Sequence, residues 1–251
     1  MARAAVPRGL TARRAWQRAV LADRWAETST AYTLVFEVED WPGHLAGQHV
    51  DVRLTAEDGY SASRSYSLAA PADGDRIEIT VQRLDDGEVS PFLADELAAG
   101  DELEVRGPFG GWFVWRTGDP GPVLLVGGGS GVVPLMAMIR ARAGVSRAPF
   151  RLLASVRSPE DRIYAAELRS RAAEDADLEV AWIYTRRGVE DDPRKAGRLQ
   201  AEDLMRHGWP PNLAPTCYVC GPTNFVEATA SLLLAAGHDA ARIRTERFGG
   251  A

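Results

Sequence analysis

The feature that most constrains this chain is a glycine turn, Gly127-Gly128-Gly129-Ser130-Gly131-Val132-Val133-Pro134. It lies between the apolar run Val123-Leu124-Leu125-Val126 and a helical run, Leu135–Ile139, that ends near Gly144. An unbroken apolar run, then glycines, then a helical pattern reads as a buried parallel strand, a phosphate-binding turn and a helix. The free N–H groups and partial positive charge at the start of such a helix suit a phosphate. More strand and helix pairs follow: Phe150–Val156 with a helix around Ala165–Ala173, Leu178–Tyr184 with Ala201–His207, and Tyr218-Val219 with Phe225–Ala236. The alternation predicts an α/β unit with a parallel sheet and helices on both faces.

The turn departs from the dinucleotide fingerprint G-x-G-x-x-G, because the sixth position of Gly129–Pro134 is proline, a residue suited to a first helical turn. The acidic residue that would meet a ribose hydroxyl about 20 residues onward is also missing; that strand ends Ala154-Ser155-Val156-Arg157. Arginine there favours a 2'-phosphate. A later strand ends Thr185-Arg186-Arg187, and Arg198 follows Gly197, so several guanidinium groups could meet one phosphate. NADPH is therefore expected over NADH. The alternative is that these arginines simply face solvent, as Arg142, Arg147, Arg151 and Arg162 could.

The first half follows a different period. Thr33–Val38, His49–Leu54 and Arg76–Val81 alternate apolar and polar residues between Gly, Pro and Asp turns, the pattern of an antiparallel barrel. One helix is expected inside it, with Ser90 as N-cap, Pro91 in the first turn and Gly100 at the stop, its N-terminus offering a phosphate site beside Gly87 and Val89. A well-capped connecting helix is the plainer reading. Gly107-Pro108-Phe109-Gly110 is expected to turn tightly beside a ligand. In Arg64-Ser65-Tyr66-Ser67 the arginine can hold a flavin phosphate, the tyrosine ring can lie against an isoalloxazine, and the Ser67 hydroxyl can reach flavin N5. The same tetrapeptide also occurs as ordinary sheet surface.

The expected organisation is a basic arm over 1–15, a β-barrel domain over 16–117 with one capping helix, and an α/β domain over 122–251. A net charge of -6 gives no general attraction to nucleic acid, although Arg3, Arg8, Arg13, Arg14 and Arg18 make the start basic. No stretch resembles a membrane span. Arg13-Arg14 lacks the apolar run of an export signal, so a cytoplasmic location is expected. Cys217 and Cys220 have no second pair to complete a cluster, and His44, His49, His207 and His238 show no metal spacing. Three residues apart on a strand, the two cysteines are expected on opposite faces.

Taken in order, Arg64-x-Tyr66-Ser67, Gly87–Ser90, Gly107–Gly110, Gly127–Pro134, Cys220-Gly221-Pro222 and Glu246-Arg247-Phe248 resemble the ferredoxin-NADP reductase superfamily. The resemblance covers nearly the whole chain. It implies a flavin held by Arg64, Tyr66, Ser67 and Gly87–Ser90, FAD with FMN the alternative. It also implies a nicotinamide cofactor held by Gly128, Gly129, Ser130, Gly131, Pro134, Cys220, Gly221 and Pro222. Glu246 and Phe248 would lie near the flavin, and Arg157, Thr185, Arg186 and Arg198 match positions that grip a 2'-phosphate. In hydride transfer Tyr66, Ser67, Cys220 and Glu246 would be the catalytic set. Two departures stand out: His49 sits where the family often has an aromatic residue, and the sequence runs past Phe248 through Gly249, Gly250 and Ala251.

No cysteine-rich module accompanies these motifs, so the expected partner is a separate electron-acceptor protein, such as a ferredoxin, a haem protein or an oxygenase component. The alternatives are a small diffusible acceptor, a dependent electron-transfer subunit, or a plain nucleotide-binding module.

Overall fold

The computed structural model describes residues 15–56, 58–119 and 121–248; the basic arm, apart from Ala15, and the last glycines lie outside them. The first six strands are β1 (Gln17–Ala26), β2 (Ala31–Glu37), β3 (His49–Thr55), β4 (Ser61–Ser67), β5 (Arg76–Gln82) and β6 (Glu102–Phe109). They form one antiparallel sheet in the order β4-β3-β6-β1-β2-β5. Its two edges meet where Leu68 pairs with Ile79 and the Ala69 N–H donates to the Glu78 carbonyl at 2.8 Å, which curls the sheet into a barrel. Alternation does the sorting. Val50 and Val52 of β3 and Ile77, Ile79 and Val81 of β5 point into the core with Phe36 and Leu34, while polar neighbours point out.

Two expectations change here. The helix after Ser90 is a single wide turn over Phe92–Glu96, closed by a bond from the Leu97 N–H to the Phe92 carbonyl at 3.0 Å. Ser90 does not cap it; its Oγ accepts from the Leu84 N–H at 3.1 Å and so serves the preceding turn. Gly107, Pro108 and Phe109 belong to β6 rather than to a loop. The register between β3 and β6 slips between His49 and Asp51, so the two strands are out of step there, and a side chain at Gly107 would sit 3.2 Å from the His49 carbonyl.

The second sheet is parallel: β7 (Val123–Gly128), β8 (Phe150–Val156), β9 (Leu178–Tyr184), β10 (Thr216–Pro222) and β11 (Ile243–Phe248), ordered β11-β10-β7-β8-β9. Four helices flank it, α1 (Val132–Arg142), α2 (Ala165–Glu174), α3 (Ala201–His207) and α4 (Thr223–Ala235). α1 and α2 pack on one face with Leu125 and Tyr218, while α3 and α4 pack on the other with Leu124 and Val219. Nine of the 11 residues of α1 are buried, because the helix is covered by the sheet on one side and by Ala46, Ala69, Phe113 and Trp115 of the first half on the other.

Polar contacts cross the same seam. Arg140 of α1 donates to the Ala69 carbonyl at 3.0 Å and pairs with Glu78 and, at 2.6 Å, with Glu167. Tyr164 bonds to Thr80 through its hydroxyl and donates its backbone N–H to Glu27 at 3.2 Å. No helix among the described residues is long and apolar enough to cross a membrane.

Candidate functional site

In the second sheet the strand order reverses between β7 and β10, so the turns after these neighbouring strands open side by side. Such a switch point leaves a crevice at the carboxyl ends of the strands, where ligands bind in open α/β sheets. The glycine turn and the Gly221-Pro222 end of β10 both lie there. A Cβ at Gly131 would fall 2.2 Å from the Cys220 carbonyl, so only glycine lets the two turns touch. Gly129, at φ +57°, faces the barrel; the nearest group to a Cβ there is Gln82 of β5, 4.0 Å away. Ser130 lies in this turn and Pro134 in the first turn of α1, as expected.

The barrel carries its own set on one strand. Arg64, Tyr66 and Ser67 lie on edge strand β4. Arg64 is exposed and pairs with Glu88 at 3.0 Å, and Glu88 also accepts from the Tyr60 hydroxyl at 2.9 Å. This links β4 to the turn 84–90, in which the Gly87 N–H donates to the Leu84 carbonyl at 2.9 Å. Val89 is fully buried in the barrel core, so only its backbone can meet a ligand. Burial pushes the Tyr66 phenol well above its ordinary range, so it stays protonated.

The two cysteines sit as expected: Cys217 packs with Val219 on one face of β10, and Cys220 with Tyr218 on the other. Both are buried and unpaired with each other. Burial, and then the charge of Glu246, push the Cys220 thiol far up, and burial alone pushes Cys217 up to about 12. No group of metal-ligating side chains occurs among the described residues.

Glu246 arrives on β11, in register with Cys220. This strand carries the polar run Arg244-Thr245-Glu246-Arg247, and no apolar period marks it. Its register brings Glu246 Oε1 to 3.4 Å from Nδ1 of His49, across the seam. His49 in turn stands opposite Ser67 in the antiparallel pair of β3 and β4. In the sequence His49 stood out only as a departure from an aromatic position. His49 Nδ1 and Glu246 Oε2 are buried without a hydrogen-bond partner, which is costly unless a ligand or a moving proton meets them. Phe248 lies one turn of the pleat further on, opposite Pro222, and is exposed.

At the far end of the sheet the Arg157 carbonyl accepts from the N–H groups of both Arg186 and Arg187, at 2.9 and 3.1 Å, while the Thr185 N–H donates to Val156. The chain returns where the Gly197 N–H donates to the Tyr184 carbonyl at 2.8 Å, which brings Arg198 to the same end. The cavity there, about 690 Å³, is lined by Arg162, Arg187, Arg194 and Lys195 together with Glu190 and Asp192, and not by Arg157, Arg186 or Arg198.

The groups present fit a flavin and a pyridine nucleotide. The orphaned His49 and Glu246 atoms suit the polar edge of a heteroaromatic ring, and the glycine turn suits a pyrophosphate.

The sequence matches the Oxidoreductase FAD-binding domain over residues 25–114 and the Oxidoreductase NAD-binding domain over residues 125–231. It is 32% identical to the flavohemoprotein of Chromobacterium violaceum over 83% of this chain and 54% of that protein. It is 33% identical to the 3-ketosteroid-9-alpha-monooxygenase ferredoxin reductase component of Mycolicibacterium smegmatis over 88% of this chain and 62% of that one. The chain thus spans little more than half the length of such curated relatives. Among solved structures, the flavohem-like FAD/NAD binding domain of nitric oxide dioxygenase from Vibrio cholerae superposes with a TM-score of 0.83 at 26% identity, over 93% of this chain and 99% of that one. With both of its domains matched and the fold shared, the chain belongs to the ferredoxin-NADP reductase superfamily, as an FAD- and NAD-binding oxidoreductase.

Proposed function

We propose that this protein takes a hydride from NADPH, or less efficiently from NADH, into FAD and passes the electrons to a separate acceptor protein. What supports this reading is that Glu246, in register with Cys220, meets His49 across the seam, that His49 stands opposite Ser67, and that the glycine turn packs against Cys220. Bound FAD supplies a ring that accepts two electrons together and can return them singly.

The chain's residues do the rest. Tyr66 would hold the ring, Ser67 would offer it a hydroxyl donor, and Arg64 would exchange Glu88 for a flavin phosphate. The turn from Gly128 to Gly131 and the start of α1 receive the nucleotide's pyrophosphate. Cys220 is buried and its thiol stays protonated, so it works as a small packing group that sets Gly221 and Pro222 beside the nicotinamide, not as a nucleophile. Arg157 and Arg186, with the cations of the neighbouring cavity, favour the 2'-phosphate. The oxygenase reductase component among the relatives supports an oxygenase component, a ferredoxin or a haem protein as acceptor.

The test is an anaerobic titration of the purified protein with NADPH and then NADH, followed by rapid mixing at the flavin's visible absorbance. Fast bleaching, faster with NADPH, is expected. A yellow protein that neither nucleotide reduces would refute the proposal.

A further inference from the structure

We infer that Tyr164 is a positioning residue for hydride transfer: a one-way chain of hydroxyls that starts at its side chain locks the α/β half against the barrel. It thereby sets the distance between two rings that it does not touch. The inference rests on the flavin and nucleotide reading above, in which Tyr66 and Ser67 of the barrel would hold one ring, and Cys220, Gly221 and Pro222 of the parallel sheet the other. With each ring carried by a different sheet, their separation depends on how the two sheets dock. A misplacement of about 1 Å can lower a rate on the order of a hundredfold.

The docking runs along one face of one strand. Glu78, Thr80 and Gln82 alternate on β5 and so point the same way, and all three meet the second half. Glu78 pairs with Arg140 of α1, Thr80 bonds to Tyr164, and Gln82 stands nearest the Gly129 turn. Tyr164 precedes α2 in the left-handed region, at φ +62°, and is buried. A bulky side chain is an outlier there and persists only where its surroundings over-determine it. Here they do: its N–H donates to Glu27 at 3.2 Å, its hydroxyl bonds to Thr80, and the Arg140 guanidinium lies 5.2 Å from its ring centroid.

The hydroxyls can be oriented in only one way. Thr33 Oγ1 lies 2.9 Å from Oε1 of Glu27, and a carboxylate only accepts, so Thr33 donates there. Its single hydrogen is then engaged, and at 2.8 Å it accepts from Thr80. Thr80 in turn accepts from Tyr164. The chain therefore runs from Tyr164 through Thr80 and Thr33 to Glu27, every link donating toward the carboxylate, and aligned bonds of this kind strengthen one another away from water. Glu27 closes the circuit, because its Oε2 receives the Tyr164 N–H. Both threonines are buried, so phenylalanine at 164 would keep the ring beside Arg140 and leave Thr80 without its donor. Arg140, bonded to Ala69, Glu78 and Glu167, holds the halves together when the chain is cut, so this variant should loosen the docking without unfolding the protein.

The test uses Tyr164→Phe, Thr80→Val and Thr80→Ser, the last of which keeps the hydroxyl. Reduction of the flavin-loaded proteins by saturating NADPH, followed by rapid mixing, should slow roughly tenfold or more in Tyr164→Phe and in Thr80→Val. The double variant should be no slower than either single one, because both cut the same bond, and Thr80→Ser should stay near the wild-type rate. Steps that need only one sheet should be unchanged in every variant: FAD binding, nucleotide binding, and reoxidation by ferricyanide after reduction with dithionite. A second readout needs no turnover. Spin labels at Ala99→Cys in the barrel and Ala173→Cys in α2, both exposed positions, report the distance between the halves, since the native cysteines are buried. That distance distribution should broaden in Tyr164→Phe and not in Thr80→Ser. An unchanged distribution, or reduction by NADPH at the wild-type rate in Tyr164→Phe, would overturn the inference, and so would equal losses in every step, which would reduce Tyr164 to a general stabiliser. A wild-type flavin reduced by dithionite but by neither nucleotide would overturn the proposed function alone, and the spin-label distances would still decide whether Tyr164 sets the docking.

Discussion

The backbone N–H of Arg186 donates to the carbonyl of Arg157 at 2.9 Å, one bond beyond the last paired residues of β8 and β9, Val156 and Tyr184. The two strands leave the sheet together, and both arginines are exposed at the same end. Charge-assisted hydrogen bonds contribute roughly 1.5 to 3 kcal/mol each, so removing one that reaches a 2'-phosphate should lower kcat/KM for NADPH by roughly ten- to a hundredfold. The combined Arg157→Ala and Arg186→Ala variant should show that loss with NADPH and little change with NADH. A constant NADPH to NADH ratio would mean that these arginines only face solvent.

Glu88 holds two partners, Arg64 at 3.0 Å and the Tyr60 hydroxyl at 2.9 Å. On the proposed reading, a flavin phosphate would displace it from Arg64. Exposed ion pairs contribute about 0 to 1 kcal/mol, so Glu88→Gln should tighten flavin binding by up to about fivefold, whereas Arg64→Ala should weaken it. Equilibrium binding of FAD to the flavin-free variants, read by quenching of flavin fluorescence, separates the two effects. Weaker binding in Glu88→Gln would show that the carboxylate belongs to the site rather than competing with it.

The parts of the fold that follow a period were legible in the sequence. Phe150–Val156 and Leu178–Tyr184 form strands with the expected bounds, because buried parallel strands are continuous apolar runs. β11 was not legible as a strand: it is an edge strand of half-buried polar residues, and its pairing with β10 is set by the sheet already built. Ser90 had the right chemistry for a cap, but its hydroxyl was claimed by Leu84 six residues earlier. The motifs named Ser67, which β4 sets opposite His49, and Glu246, which reaches His49 from the other sheet. The contact between His49 and Glu246 joins residues nearly the whole chain apart, and only the docking of two sheets creates it. Arg194 was missed as a cavity residue because the loop that positions it has no period of its own.

Cys220 has no exposed surface, and its thiol is pushed up by burial and by Glu246. The thiolate is the reactive form, so the folded protein should resist iodoacetamide at both cysteines throughout the neutral range. Mass spectrometry should find alkylation at Cys217 and Cys220 only after denaturant is added. Rapid labelling of Cys220 in the native protein would mean that the crevice opens far enough to expose the sulfur, and the packing role assigned to it would be wrong.

Asp203 takes two bonds from Arg194, at 2.6 and 2.7 Å, and a third from the Gln200 N–H at 2.8 Å. Arg194 also donates to the carbonyls of Lys195 and Arg198, at 3.0 and 3.1 Å, so this pair gathers the loop beside the arginine-lined cavity. Burial works against the charge of Asp203, but these bonds prevail and its folded-state carboxyl lies below the ordinary value. A depressed folded pKa gives stability that is fully present above the unfolded value, about 3.9, and is lost as pH falls through the folded value. Asp203→Asn should therefore cost about 2 kcal/mol near neutrality, with the gap from wild type closing below about pH 4. Urea unfolding at the two pH values measures this directly. The same variant should raise KM for NADPH more than it lowers kcat, because it loosens a loop at the nucleotide end and leaves Ser67 and Glu246 untouched. A gap that persisted in acid would trace the loss to packing around α3 instead of to the ion pair.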